Sequence, residues 1–160
     1  MNSIHTDSVL ALAACPDNAT VVSGGTDRTI NVWNGQTGQH LLSACNCLTV
    51  SFDGTIAISG GEDTKIKVWN LLSGQQLRVL EGHLNAVTAV AISADQQMIV
   101  SGDCGGTLKV WDAQAWKELQ TLRHGSNSYM TGVGSAGISP DGRTIAYGDQ
   151  AGIIHLWKIE

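Results

Sequence analysis

Apolar residues along this chain fall in short runs bounded by glycine- and aspartate-bearing turns, and four of the runs end in tryptophan. Trp33, Trp69, Trp111 and Trp157 each close a block of 20 residues, and the blocks Ala14–Trp33, Val50–Trp69, Ile92–Trp111 and Ile138–Trp157 align without a gap. Asp17, Asp53, Asp95 and Asp141 share one column. Gly24, Gly60, Gly102 and Gly148 share another, and Ile30, Ile66, Leu108 and Ile154 a third. Agreement at that many columns is an internal repeat, which has to be found before any other fold reading is attempted.

Each block predicts strands separated by turns. Ala86–Ser93 is apolar and β-branched, the composition of a strand. A turn follows in every copy: Pro16-Asp17-Asn18, Phe52-Asp53-Gly54, Ala94-Asp95-Gln96 and Pro140-Asp141-Gly142. Proline presets φ there, aspartate bonds nearby amides, and glycine or asparagine tolerates positive φ. A short apolar run such as Thr55–Ser59 comes next, then a glycine-rich reversal such as Ser23–Arg28. The third strand alternates apolar with polar, as in Lys65-Ile66-Lys67-Val68-Trp69, so one face is buried and the other wetter. A fourth strand, for example Gln76–Leu80, completes an antiparallel meander of four strands. The expected units are residues 5–43, 44–81, 82–124 and 125–160.

Composition narrows the class further. Of 160 residues, 42% are hydrophobic and only 14% charged, which argues against disorder. Nineteen glycines against two prolines suit frequent tight turns. A net charge of −5 does not supply the basic face a nucleic acid or an anionic membrane calls for. No apolar run approaches the ~18–20 residues needed to cross a bilayer. Met1 to Asp7 lack the pattern of a signal peptide, so a cytoplasmic location is expected and the sequon Asn18-Ala19-Thr20 is read as coincidence. Cys15, Cys45, Cys47 and Cys104 follow no disulfide-framework or metal spacing and read as reduced thiols.

The pairs Glu81-Gly82-His83 and Trp111-Asp112 resemble the Gly-His and Trp-Asp landmarks of WD-repeat propeller blades. Trp33-Asn34, Trp69-Asn70 and Trp157-Lys158 are weaker forms of the second. The resemblance covers almost the whole chain, with the period of roughly 40 residues of that class. It implies an all-β propeller of about four antiparallel, four-stranded blades, and a protein-binding role without catalysis or cofactor.

The resemblance also implies a hydrogen-bonded tetrad of His, Ser or Thr, Asp and Trp within a blade, satisfying buried polar atoms that are costly if unpaired. The first copy has His5, Ser23, Asp27 and Trp33. The second keeps Ser59, Asp63 and Trp69, with Leu41 in the histidine position. The third keeps His83, Ser101 and Trp111, with Gly105 in the aspartate position and Asp103 two residues earlier. The fourth has Tyr129, Tyr147 and Ala151 and retains only Trp157, so it is expected to be the least rigid blade or one held by its neighbours. A Ser-His-Asp set also evokes a hydrolase triad, but no strained nucleophile turn surrounds Ser23.

Two length changes stand out. Trp69 to Val87 spans 18 residues and Trp33 to Cys45 only 12, which predicts a short outer strand or a tight connection around His40–Ala44. Conversely, Ser126–Met130 lengthens the loop into the fourth unit. The chain opens almost directly into an inner strand and stops after a third one. Four blades alone would need about 90° per step, far from the packing of such sheets. The expectation is therefore the C-terminal part of a longer protein or, alternatively, a self-assembling half-ring.

The leading functional expectation is a protein–protein interaction scaffold in a larger sensor or signalling protein, since the repeats also resemble the C-terminal blades of bacterial WD-repeat signalling proteins. Candidate partner-binding residues are Thr26, Glu62, Cys104 and Gln150 on one rim, and Trp116 on the other, where Gly38 and Gly74 stand in sister copies. Entrance positions Ser8, Ala44, Ala86 and Gly132 are small, so no aromatic cluster marks that rim. A propeller hydrolase or metal protein is the competing class. Cys45 and Cys47 could share a strand face, yet no histidine is placed to complete a zinc site, and no phosphate-binding motif occurs.

Overall fold

The computed structural model describes residues 5–17, 19–34, 37–42, 45–123 and 132–159. All regular structure in them is β. The first sheet contains β1 (Val9–Ala14), β2 (Thr20–Gly25), β3 (Thr29–Asn34) and β4 (Thr37–Leu42). The second contains β5 (Cys47–Val50), β6 (Ile56–Gly60), β7 (Ile66–Asn70) and β8 (Gln76–Leu80), and the third β9 (Val87–Ile92), β10 (Met98–Asp103), β11 (Thr107–Asp112) and β12 (Lys117–Arg123). The fourth has β13 (Val133–Ile138), β14 (Thr144–Asp149) and β15 (Ile154–Lys158). Within each sheet the strands pair antiparallel in chain order. Each unit is a meander, hence a propeller blade.

The inner strands place the blades about an axis: β1 lies along β5, β5 along β9 and β9 along β13. Side chains alternate across every strand, so each blade has a forward face toward the next blade and a backward face toward the previous one. Forward residues Val22, Ile30 and Val32 of the first blade pack on Cys45, Ala57, Trp69 and Leu71 of the second. Ile58, Ile66 and Val68 of the second meet Val90, Ile99, Trp111 and Ala113 of the third. Val100, Leu108 and Val110 of the third meet Val133 and Ile145 of the fourth. Burying each such side chain contributes roughly 1.5–3 kcal/mol, so the junctions between blades, more than any single blade, hold the molecule together. The four blades do not close into a ring.

The glycine column has a packing reason. A Cβ on Gly24 would lie 2.2 Å from Cys45 Sγ, on Gly60 2.4 Å from Val87 Cγ1, and on Gly102 2.3 Å from Val133 Cγ1. At these three junctions one residue at or just before the start of the following inner strand thus plugs into a glycine socket on the blade before it. The aspartate column has a turn reason. Asp53, Asp95 and Asp141 each accept the hydroxyl of the serine two residues before and an amide two residues after. These bonds close turns whose next residue, Gly54, Gln96 or Gly142, has positive φ.

The missing residues of the first blade are not taken from its outer strand. β4 has six residues against five in β8. The shortening falls on both flanking connections, 35–36 against 71–75 and 43–46 against 81–86. Gly38, expected in the turn, is instead paired with Trp33 inside β4. Trp116 and Gly74 do share the turn, with φ of 56° and 71°. The insert Ser126–Met130, including Tyr129, lies outside the described residues, as do Ala44 and His124.

Candidate functional site

The polar landmarks come together inside the blades. In the first, Trp33 Nε1 donates to Ser23 Oγ (2.9 Å), Ser23 Oγ lies 2.7 Å from His5 Nε2, and His5 Nδ1 lies 3.0 Å from Asp27 Oδ2. Asp27 also accepts the Thr6 and Thr29 amides and the Thr29 hydroxyl. Burial acts to raise the Asp27 pKa, but the bonds from Thr29, the Thr6 amide and His5 outweigh it and hold the carboxyl down at about 2. A carboxyl depressed on folding contributes stability that is present above its unfolded value of 3.8 and lost as pH falls through about 2. Acid titration of the folded protein is therefore expected to show a stability loss beginning near pH 4, smaller in Asp27→Asn. An equally steep loss in that variant counts against the assignment.

The third blade has the same network with its carboxylate moved. His83 Nδ1 is 2.8 Å from Asp103 Oδ2, His83 Nε2 is 2.7 Å from Ser101 Oγ, and Trp111 Nε1 donates to Ser101 at 2.8 Å. Asp103 Oδ1 accepts the Gly105 and Thr107 amides, as Asp27 accepts that of Thr29. Positions two residues apart at a strand end reach the same side, so Asp103 occupies the role expected of position 105.

The other two blades use one further column, two residues before the tryptophan: Asn31, Lys67, Lys109 and His155. In the second blade, where no histidine is available, Lys67 Nζ donates to Asp63 at 2.5 Å and Trp69 to Ser59 at 3.0 Å. In the fourth, His155 Nε2 is 2.9 Å from Asp149 Oδ2 and its ring stacks on Tyr147 with centroids 4.6 Å apart. This blade keeps a half-buried polar pair of its own. Lys109 reaches Glu118 and Thr121, both at 2.7 Å. The column is the polar alternate of the third strand, and its residue type changes from blade to blade.

The serine, histidine and aspartate of the third blade stand in hydrolase-like order, but Ser59 and Ser101 have no exposed surface and their hydroxyls accept from tryptophan. A nucleophile so placed meets no substrate. Cys45 and Cys47 do not share a face: Cys45 belongs to the first inter-blade cluster and Cys47 to the second. Burial pushes the Cys45 thiol up to about 12 and raises that of Cys47 further, which disfavours the thiolate a metal would need. Among the described residues no group of three or more His, Cys, Asp or Glu could hold a metal.

The loop rims face outward. Thr26, Glu62, Cys104 and Gln150 are all exposed, in the turns β2–β3, β6–β7, β10–β11 and β14–β15. The amides of Thr26, Cys104 and Gln150 donate to the carbonyls of Ser8, Ala86 and Gly132, fixing that rim to the start of the inner strands. Trp116 lies apart, half-buried against the core between the second and third blades. On its side the structure exposes Phe52 and Leu72, 71% and 90% accessible, in adjacent turns joined by the Leu71 amide and Thr55 carbonyl. The signal for Phe52 was an aromatic residue where sister turns carry Pro16, Ala94 and Pro140.

Comparison with known proteins agrees with this geometry. The chain is similar to Autophagy-related protein 16 of Arabidopsis thaliana, 30% identical over 161 residues covering 97% of this chain. The chain spans about a third (32%) of that relative's length. The family model for the WD domain, G-beta repeat, matches residues 3–34, 36–70 and 74–112. With those matches covering three of the meanders that carry the tryptophan-to-serine bond, the chain belongs to the WD-repeat family.

Proposed function

We propose that this protein is a protein–protein interaction scaffold working within a larger WD-repeat assembly of the sensor or signalling kind, in the cytoplasm. The observation that carries the reading is where the polar chemistry goes. Ser23, Ser59, Ser101, His83 and Asp103 are turned inward and hydrogen-bonded to their own blade, so the recurring polar residues are spent on structure. The surface left for recognition is a rim of loops on a rigid support, a common site of binding. Buried, largely protonated thiols suit a reducing compartment, and the similarity to an autophagy-related plant protein fits a scaffold without adding a substrate.

The test is a partner captured on the immobilised chain, identified by mass spectrometry and then titrated. Glu62→Lys combined with Gln150→Ala is expected to weaken its binding about tenfold, or ~1.4 kcal/mol, while Leu72→Ser on the opposite rim leaves it unchanged. The reverse pattern would move the site to the rim bearing Phe52, and equal binding by all three proteins would sink the rim reading altogether.

A further inference from the structure

Repeated turns within one chain separate the residues a turn needs from those it merely carries. In the turn between β5 and β6, Asp53 accepts the Ser51 hydroxyl and the Thr55 amide. In the matching turn of the third blade, Asp95 takes the same two bonds, from Ser93 and Gln97. Phe52 stands beside the first aspartate and Ala94 beside the second, so the closure does not depend on an aromatic ring. The turn between β7 and β8 behaves alike. Asn70 accepts the Leu72 and Ser73 amides, and Asp112 those of Gln114 and Ala115. Three residues after the tryptophan the second copy has Leu72, where the others have Gln36, Gln114 and Glu160. Neither apolar side chain is covered, Phe52 being 71% and Leu72 90% accessible. They neither close their turns nor enter the core, and one hydrogen bond, from the Leu71 amide to the Thr55 carbonyl, joins the two turns.

Charge decides what such a surface accepts. Cys15 and Pro16 pack at Gly54, and the Gln96 side chain bonds to Asp53, so the inner turns of three blades adjoin. They carry Asp17, Asp53 and Asp95, and Asp112 opens the outer turn of the third blade. Bonds from the hydroxyls of Thr20, Ser51 and Ser93 hold the first three carboxyls below the usual range, and the Ala115 amide acts likewise on Asp112. Among the described residues of the turns 15–19, 51–55, 70–75, 93–97 and 112–116 there is no lysine or arginine. Arg78 and Lys117, just beyond them, stand on the outer strands β8 and β12. The apolar pair is thus set in an anionic rim. We infer that Phe52 and Leu72 dock a peptide segment of another protein that carries a large apolar side chain beside lysine or arginine. Burying the apolar pair supplies affinity, while complementary charge selects the partner. This surface lies on the rim opposite Thr26 and Glu62, and it extends the scaffold reading to a second docking site.

The test is selection of a displayed library of random peptides on the immobilised chain, counter-selected on a variant combining Phe52→Ala with Leu72→Gln. Both substitutions are those of the third blade's own turns, so the variant should keep the unfolding midpoint of the parent. Enriched sequences should carry a large apolar residue next to lysine or arginine. A synthetic copy of the enriched peptide should lose about tenfold in affinity with either substitution. Asp53→Asn keeps the acceptor oxygen of its turn and removes the charge, so it should weaken the peptide about threefold and flatten its dependence on salt. Enriched peptides that are acidic, or that bind Asp53→Asn as well as the parent, overturn the basic partner. Equal binding by the double variant, or no enrichment over it, overturns the docking surface. Sedimentation of the parent alone covers a further occupant, since a double mass abolished by Leu72→Gln would assign the surface to a second copy and overturn the proposal. Peptides lost with Glu62→Lys and Gln150→Ala but kept with Phe52→Ala overturn this inference and leave the scaffold reading standing.

Discussion

Replacing His83 with alanine is expected to lower the free energy of unfolding by about 3 kcal/mol, the scale for removing the partner of a buried charge. The Asp103 carboxylate has no accessible surface and lies 2.8 Å from His83 Nδ1. Its other bonds come from the Gly105 and Thr107 amides. Burial acts to raise its pKa, but the bond from His83 and those amides prevail and lower it, so it is charged in the folded protein at neutral pH. Without His83 it faces a void on one side. The Ser101 hydroxyl also loses the acceptor 2.7 Å away. Lys67→Ala provides the contrast. Its partner Asp63 is 34% accessible, so water replaces the lost ammonium and the cost should stay below about 1 kcal/mol. Denaturant unfolding of both variants decides between them: equal losses would mean the buried pair is worth no more than a surface one.

Gly102→Ala is expected to cost about 1–3 kcal/mol, the range for forcing extra atoms into a packed core. The added Cβ would sit 2.3 Å from Val133 Cγ1 and 2.5 Å from Val133 Cβ. Val133 is fixed in β13, so the two blades must separate along the whole junction. Val133→Ala in the same chain removes the obstructing methyls. The double variant should therefore lose less than the sum of the single ones, a coupling that a purely local effect on β10 would not give. Gly148→Ala, whose added Cβ would approach only Ser135 Oγ at 3.2 Å, should fall within about 0.5 kcal/mol of the parent. A Gly148→Ala loss as large as that of Gly102→Ala would show that the glycine is needed by the strand and not by the junction.

Column agreement among Trp33, Trp69, Trp111 and Trp157, with alternation in the strands before them, was enough to read four antiparallel meanders. These signals are local: strand periodicity, turn residues and a tryptophan within one blade depend on neighbours in sequence. The hydrogen-bonding set of the first blade, His5, Ser23, Asp27 and Trp33, came from the resemblance to WD repeats, which assigns roles that local pattern does not. Asp103 was noticed, but only the fold showed it facing His83, since a strand end lets either of two alternate positions point inward. Lys67 with Asp63, and His155 with Asp149, were not legible. Each substitutes one polar pair for another, and no fixed residue type marks the column.

By itself, then, the sequence determined the repeat and the blade, because short-range periodicity and turn chemistry encode them. Tertiary structure alone decided which faces are covered. Ile30 and Ile154 are the same residue in the same column of the same strand, yet one is sealed and the other is 75% accessible. The difference lies in the neighbouring blade, and burial is a property of what packs against a side chain, which no single repeat contains.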